Sequence, residues 1–348
     1  MTRCEVCSHN CRLSEGQMGM CLGRKCKGGR IIAANYGHIT SIALDPIEKK
    51  PLNLFYPGSK IISVGSYGCN LRCPFCQNHE ISYGFSYDFV RKDNQEDKRT
   101  QDEVETFPEY RFKDSEYRFK DSEYRLKDPE YRFKDPEYRF KDSEYGLKDP
   151  EYRFENPEYR FIDPEELAEI AKEYIPQGNI GVAFTYNEPL VGYEYVVDAA
   201  KEVHKAGLKT VLVSNGNVSL PVCHEVSEHI DAMNIDLKGF TDDYYSKILG
   251  GSRKMVMDFI AAAAKECHME VTTLIVPGFN DSEEEMDKLS HWISELKEGD
   301  GAKTIALHIS RYFPRFRMLD VPATDVDLIY RLSDVARQNL EHVFVGNC

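Results

Sequence analysis

From Lys60 onward, short apolar runs alternate with amphipathic stretches, and this alternation limits the possible folds more than any other feature. Candidate strands are residues 60–67, 180–185, 210–214, 232–237, 271–276 and 305–309, with a short last run at 343–345. Helical periodicity falls between them, over 165–174, 193–206, 221–229, 255–266, 282–296 and 325–339. Strands alternating with helices predict an α/β fold with a parallel sheet, closed or partly closed into a barrel. In such a barrel the reactive groups gather at the carboxyl ends of the strands. Polar clusters fall there in series: Thr185-Tyr-Asn187-Glu188-Pro189, Ser214-Asn215-Gly-Asn217, Asp236-Leu-Lys238-Gly239, Pro277-Gly-Phe-Asn-Asp281 and His308-Ile-Ser-Arg311. Any one of them has an ordinary explanation, because Asn-Gly and Pro-Gly make turns and a lone histidine is usually structural. A whole series on one edge reads as a site.

The first apolar run leads into Cys69-Asn-Leu-Arg-Cys73-Pro-Phe75-Cys76. This C-x3-C-x2-C spacing offers three thiolates from one tight loop, suited to three corners of a cubane [4Fe–4S] cluster. A fourth cysteine would close the cluster for electron transfer; three leave one iron open to a small molecule. Structural zinc wants four closed ligands, usually as paired knuckles. No His or Cys follows Cys76 at knuckle spacing, and His79 sits too close. The chain opens with Met1-Thr-Arg-Cys4 and has no signal-peptide pattern, so its eleven cysteines are expected to serve metals in a reducing cytoplasm.

A second group, Cys4-x2-Cys7-x3-Cys11-x9-Cys21 with Cys26 beyond, lies in a glycine-rich segment. Four thiolates in so short a span suit zinc or a second iron–sulfur cluster, and spacing leaves the choice open. Cys223, Cys267 and Cys348 are isolated and read as packing or surface residues. The net charge of −14 argues against a nucleic-acid partner held by phosphate neutralisation. No apolar run has the length to span a bilayer, so no membrane association is expected.

From Glu109 to Ile162 the chain reiterates (Pro/Ser)-Glu-Tyr-Arg-Phe-Lys-Asp. The aromatics are spaced two and then five apart, which builds no coiled-coil seam, and recurrent proline breaks a continuous helix. The repeat reads as a low-complexity insertion over 85–162, extended or poorly ordered in a surface loop, with a partner-binding strip as the alternative use. Beyond it, Asp163-Pro164-Glu-Glu166 announces a helix: an N-cap, a proline for the first turn and a capping box. The expected division is a Cys-rich segment over 1–58, a barrel over 59–84 and 163–348, and the insertion between. Without the insertion the remainder is about 270 residues, a barrel-sized unit.

The cysteine loop with Phe75 resembles that of the radical S-adenosylmethionine (SAM) superfamily. The chain is more narrowly similar to the pyruvate formate-lyase activating group and its AmmeMemoRadiSam system branch. That similarity rests on Asp45-Pro-Ile-Glu-Lys-Lys-Pro51, Pro57-Gly-Ser59, Gly68-Cys-Asn70, Cys76-Gln-Asn-His-Glu-Ile-Ser82 and Phe184-Thr-Tyr-Asn-Glu-Pro189. The resemblance implies a partial (βα)6 TIM-like barrel whose Cys69, Cys73 and Cys76 ligate a [4Fe–4S] cluster. One electron from the cluster would cleave SAM to methionine and a 5′-deoxyadenosyl radical that abstracts hydrogen. It further implies that Phe75 packs near the adenine and that Asn187 and Glu188 receive the SAM amine. Ser214, Asn215, Asp236, Lys238 and His308 would contact the SAM ribose or carboxylate. The implied partners are an electron donor such as ferredoxin or flavodoxin and a substrate protein bearing a glycine. A small molecule or an RNA base as target stays open, as does a non-catalytic iron–sulfur scaffold that recruits partners through the repeat. The chain departs from the family pattern at Ser8, where relatives often carry proline, and at Cys348, beyond which relatives commonly run into a Cys-Pro-x-x-Cys-type tail.

Overall fold

Eight strands, labelled β1 to β8 in chain order, make one sheet: Ser41–Pro46, Lys60–Gly65, Asn179–Phe184, Lys209–Ser214, Ala232–Asp236, His268–Ile275, Ala306–Arg311 and Val343–Gly346. The computed structural model describes residues 1–83, 159–296 and 305–348, so the repeat up to Glu158 lies outside the described residues. Strands β2 to β8 lie side by side in chain order, and every neighbouring pair among them is parallel. The six strands expected in the core are joined by the short run at 343–345, which pairs Val343 with Leu307 and Gly346 with Ser310. The parallel series is therefore one strand longer than a (βα)6 barrel. Strand β1, which the sequence did not reveal, runs antiparallel to β2 with Asp45 opposite Ile61. Its residues are mostly half-buried, as on an edge, so it lacks the continuous apolar run that marks a strand buried on both faces. Strands β8 and β1 are the two edges, which leaves the barrel open between them.

Helices α1 to α6 (Pro164–Glu173, Tyr193–Lys205, Leu220–Ser227, Arg253–Ala263, Glu283–Glu295 and Val326–Ala336) fall in the gaps where periodicity placed them. Each buries one apolar stripe, such as Leu167, Ile170 and Ala171 on α1. Asp163 accepts the Glu166 amide at 2.8 Å and Pro164 occupies the first turn, as the sequence signature predicts. The Glu166 carboxylate does not reach back to complete a capping box; it pairs with Arg160. Asp163→Ala is expected to cost about 1 kcal/mol, read as a lower midpoint in urea denaturation.

The end of the final repeat unit, from Tyr159 on, lies within the fold. Arg160–Phe161 pairs antiparallel with His38–Ile39, Tyr159 stacks on His38 at 4.3 Å between centroids, and Ile162 is 2% exposed. Towards the amino ends of the strands, Ile47 and Leu52 pack with Ile61, Val211 and Ala232, and with Ala183 further along β3, as a plug. Glu270 on β6, fully buried, holds that plug by accepting the amides of Asn53 (3.0 Å) and Leu54 (2.9 Å).

The Cys-rich segment forms two small hairpins, Thr2–Arg3 with Arg12–Leu13 and Arg24–Lys27 with Arg30–Ala33. It is tied to the loop after β4 by a bridge between Cys7 and Val218 and by the Ser219 amide donating to the Val6 carbonyl at 2.8 Å.

Candidate active site

Strand β2 ends at Gly65, and the chain turns through Gly68 into the three-cysteine loop. Gly68 has φ of +90°, and a Cβ there would sit 2.4 Å from the Cys21 carbonyl oxygen, so only glycine fits. Gly68→Ala is expected to store about 1–3 kcal/mol of strain and to lower both the thermal midpoint and the iron bound per chain.

Side-chain amides hold the loop in place. Asn70 Nδ2 donates to the Asn217 carbonyl at 2.8 Å, and Asn215 Nδ2 donates to Asn70 Oδ1 at 2.9 Å and lies 3.7 Å from Cys69 Sγ. Asn187 accepts the Ser66 amide at 2.9 Å and donates to the Gly68 carbonyl at 3.0 Å. Arg72 Nη1 donates to the carbonyls of Cys69 (3.0 Å) and Leu71 (3.1 Å), and its Nη2 donates to Met20. Asn70 and Asn217 lie in segments that the sequence marked, but their role, like that of Arg72, depends on segments far apart in the chain.

The three thiols are free and do not pair with one another. Burial pushes Cys73 up to about 12, against the nearby Lys238 charge, and raises Cys69 strongly, with the Glu188 charge adding to it. Burial also raises Cys76, opposed by its contacts with Ser82 and the Asn78 amide. Among the described residues no three Cys, His, Asp or Glu side chains converge tightly enough to hold a single metal ion. A cubane takes one thiolate at each of three irons, and the C-x3-C-x2-C loop supplies three. The sulfurs also have donors to receive negative charge: the Leu71 amide lies 3.4 Å from Cys69 Sγ, and Asn215 reaches the same atom. The residues present therefore fit a [4Fe–4S] cluster.

Beside the loop, Glu188 is 2% exposed and caps the short helix Pro189–Gly192. Its Oε1 accepts from Ser214 Oγ (2.7 Å) and the Leu190 amide (3.0 Å), and its Oε2 accepts from the Asn215 amide (2.8 Å). Burial raises its carboxyl to about 7 even against these three donors. Among the described residues no cationic side chain forms an ion pair with it. Lys238 Nζ instead pairs with Asp236 Oδ2 at 2.9 Å, and both charges bear on Cys73 and Cys76. Tyr186, just after β3, has φ of +73°, an unusual strain for an aromatic residue; its hydroxyl donates to Asp45 Oδ2 at 2.9 Å and its ring lies 4.7 Å from Lys50 Nζ.

The structure thus brings Cys69, Cys73, Cys76, Glu188, Ser214, Asn215, Asp236 and Lys238 to one end of the barrel. Phe75 is buried beside them, edge-on to Tyr312 with centroids 6.2 Å apart. Asn187 acts there as a staple on the loop. His308 does not join the group: it lies mid-strand on β7, where its Nε2 bonds Glu270 Oε2 at 2.6 Å. A polar run counted from 308 to 311 placed it at the edge, whereas β7 continues to Arg311.

A partly open parallel barrel with a three-cysteine loop after its first parallel strand defines an α/β protein whose loop residues fit an incompletely ligated iron–sulfur cluster. A family model, the Radical SAM superfamily, matches residues 144–292. The cysteine loop lies before that span, so motif and match are separate observations. That span is under half of the chain, and over it the chain is similar to the radical SAM superfamily. It is 29% identical over 347 residues to an uncharacterised protein of Methanocaldococcus jannaschii, covering 99% of this chain and 81% of that one. It is 25% identical over 177 residues to the pyruvate formate-lyase-activating enzyme of Clostridium pasteurianum, covering 49% of this chain and 74% of that enzyme. A crystal structure of a domain of pyruvate-formate lyase-activating enzyme from Bacteroides vulgatus superposes with a TM-score of 0.42 at 15% identity, over 48% of this chain and 99% of that domain.

Proposed function

We propose that this chain reductively cleaves SAM and uses the resulting radical for hydrogen abstraction, in the manner of the pyruvate formate-lyase activating group and, within it, the AmmeMemoRadiSam branch. The observation that carries the reading is Glu188, a buried carboxylate beside the cysteine loop with no cationic partner among the described residues. Such a group is costly to ionise alone and becomes favourable when a ligand brings an ammonium. SAM carries one. Once bound, a cluster on Cys69, Cys73 and Cys76 would supply the electron that splits SAM into methionine and the 5′-deoxyadenosyl radical.

The chain's own residues bind, orient and exclude water. Ser214 and the Asn215 amide fix the Glu188 carboxylate, and the Asn215 side chain steadies Cys69. Lys238, held by Asp236, sets a positive charge near the sulfurs and offers a partner to a ligand carboxylate. Phe75 supplies a buried aromatic face for an adenine. Similarity to activating enzymes supports a glycine in a partner protein as the target and a ferredoxin- or flavodoxin-type donor of electrons. No described helix is long and apolar enough to cross a membrane, and the chemistry suits a reducing cytoplasm.

The test is anaerobic: the iron-loaded, dithionite-reduced chain is mixed with SAM, and 5′-deoxyadenosine is measured by chromatography. Formation of the nucleoside is expected. An iron-loaded chain that leaves SAM intact would overturn the proposal.

A further inference from the structure

Tyr186 stands between the end of β3 and Glu188 in a backbone state that an aromatic residue rarely takes. Its φ is +73°, and the Asn187 amide bonds back to the Thr185 carbonyl at 3.1 Å. An amide that bonds two residues back around a residue of positive φ makes a γ-turn of the rare, strained kind. Glycine adopts such a state freely, whereas a larger residue stays in it only when its surroundings hold it there.

Three contacts do so. The Tyr186 hydroxyl donates to Asp45 Oδ2 at 2.9 Å, and Asp45 is itself fixed by Lys50 Nζ at 2.8 Å. The ring lies 4.7 Å from Lys50 Nζ and packs on Gly65, where a Cβ would come within 2.8 Å of it. The Tyr186 carbonyl accepts Asn78 Nδ2 at 2.6 Å, two residues past the last cysteine of the loop. Asp45 on β1, Gly65 on β2 and Asn78 beyond the cysteine loop thus all fix one strained residue.

The turn decides where Glu188 goes. Glu188 lies four residues beyond Phe184, the end of β3, and an extended chain would carry it up to about 14 Å from there. Instead the chain folds back, so that the Glu188 amide donates to the Gly68 carbonyl at 3.2 Å and the Asn187 side chain spans Ser66 and Gly68. Gly68 directly precedes Cys69. The carboxylate is thereby set against the cysteine loop, within reach of Ser214 and the Asn215 amide.

We propose that Tyr186 is a positioning residue: clamped by Asp45 and Asn78, its strained turn holds the Glu188 carboxylate where the ammonium of a bound ligand meets it. Tyr186 acts through Glu188, so this role rests on the reading of Glu188 as the ammonium acceptor.

The test uses the cluster-loaded, full-length chain, kept anaerobic and without reductant. Two probes differ only in the amine: S-adenosylhomocysteine and its deamino analogue. Their dissociation constants are measured by equilibrium dialysis, with iron per chain alongside. Tyr186→Phe keeps the ring against Gly65 and Lys50 and loses only the hydroxyl bond. It is expected to bind S-adenosylhomocysteine about tenfold more weakly, with the deamino analogue and the iron content unchanged. Equal weakening of the two ligands, a lowered iron content or no weakening overturns the proposal, as does a wild type that binds both ligands alike. If Tyr186→Phe does not fold, Tyr186→Gly decides, since glycine takes the turn freely. A loss confined to the amine-bearing ligand supports the clamp; wild-type affinity or an equal loss for both overturns it. The SAM-cleavage reading fails separately, on the nucleoside assay.

Discussion

Replacing Cys69, Cys73 and Cys76 with alanine is expected to reduce 5′-deoxyadenosine formation to the protein-free background while the far-ultraviolet circular dichroism stays near that of wild type. The effect is total because, on the proposed reading, three thiolates would be the whole protein contribution to the cluster, each at a separate corner. The fold should survive, since the loop is held by bonds that omit the sulfurs: Asn70 to Asn217, Asn187 to Gly68 and Arg72 to the loop carbonyls. The sheet beneath it is built on side chains such as Ile61, Ile62 and Val64, none of which the substitutions touch. Nucleoside formation persisting in a folded, triply substituted chain would place SAM cleavage elsewhere.

The second large effect is on stability, at the opposite end of the barrel. Glu270 accepts from His268 (3.0 Å), His308 (2.6 Å) and the amides of Asn53 and Leu54, so Glu270→Ala strands several buried donors at once. A loss of about 3–5 kcal/mol is expected, as for breaking a buried charged network, measured by chemical denaturation. The same network sets a pH dependence. Burial alone would raise the Glu270 carboxyl, but the hydrogen bonds from His268, His308 and Leu54 hold it down to about 2. A carboxyl whose pKa is lower in the folded state contributes stability above its unfolded value near 4.5, and that contribution fades as pH falls towards 2. At 1.36 kcal/mol per pH unit the loss is on the order of 3 kcal/mol. Glu270→Gln, which cannot ionise, is expected to flatten the acid limb of the stability curve. An unchanged slope between pH 4.5 and 2 would show that another carboxylate governs it.

Local patterning made much of this molecule readable. The six helices and the parallel strands lie close to where their apolar periods put them, because each element buries a face of fixed repeat. Asp163-Pro164 marks the start of α1 for the same local reason: the cap bonds an amide three residues away. Strand β1 escaped because an edge strand buries too little to leave a continuous apolar trace. Glu166 misled because its carboxylate pairs with Arg160, six residues earlier and outside the helix, rather than with the cap residue's amide.

The cysteine loop was legible without tertiary information, since its three thiols lie within eight residues of the chain. Whether distant polar residues join them is a matter of register and strand length. Glu188 reached the site because β3 ends four residues before it, and His308 did not because β7 runs three residues past it. Spacing along the chain therefore placed the parallel strands, the helices and the three-cysteine loop. The tertiary packing alone decided which carboxylate was left buried without a counter-charge, Glu188, and which was satisfied, Glu270, because burial and partnership belong to the assembled sheet rather than to any one segment.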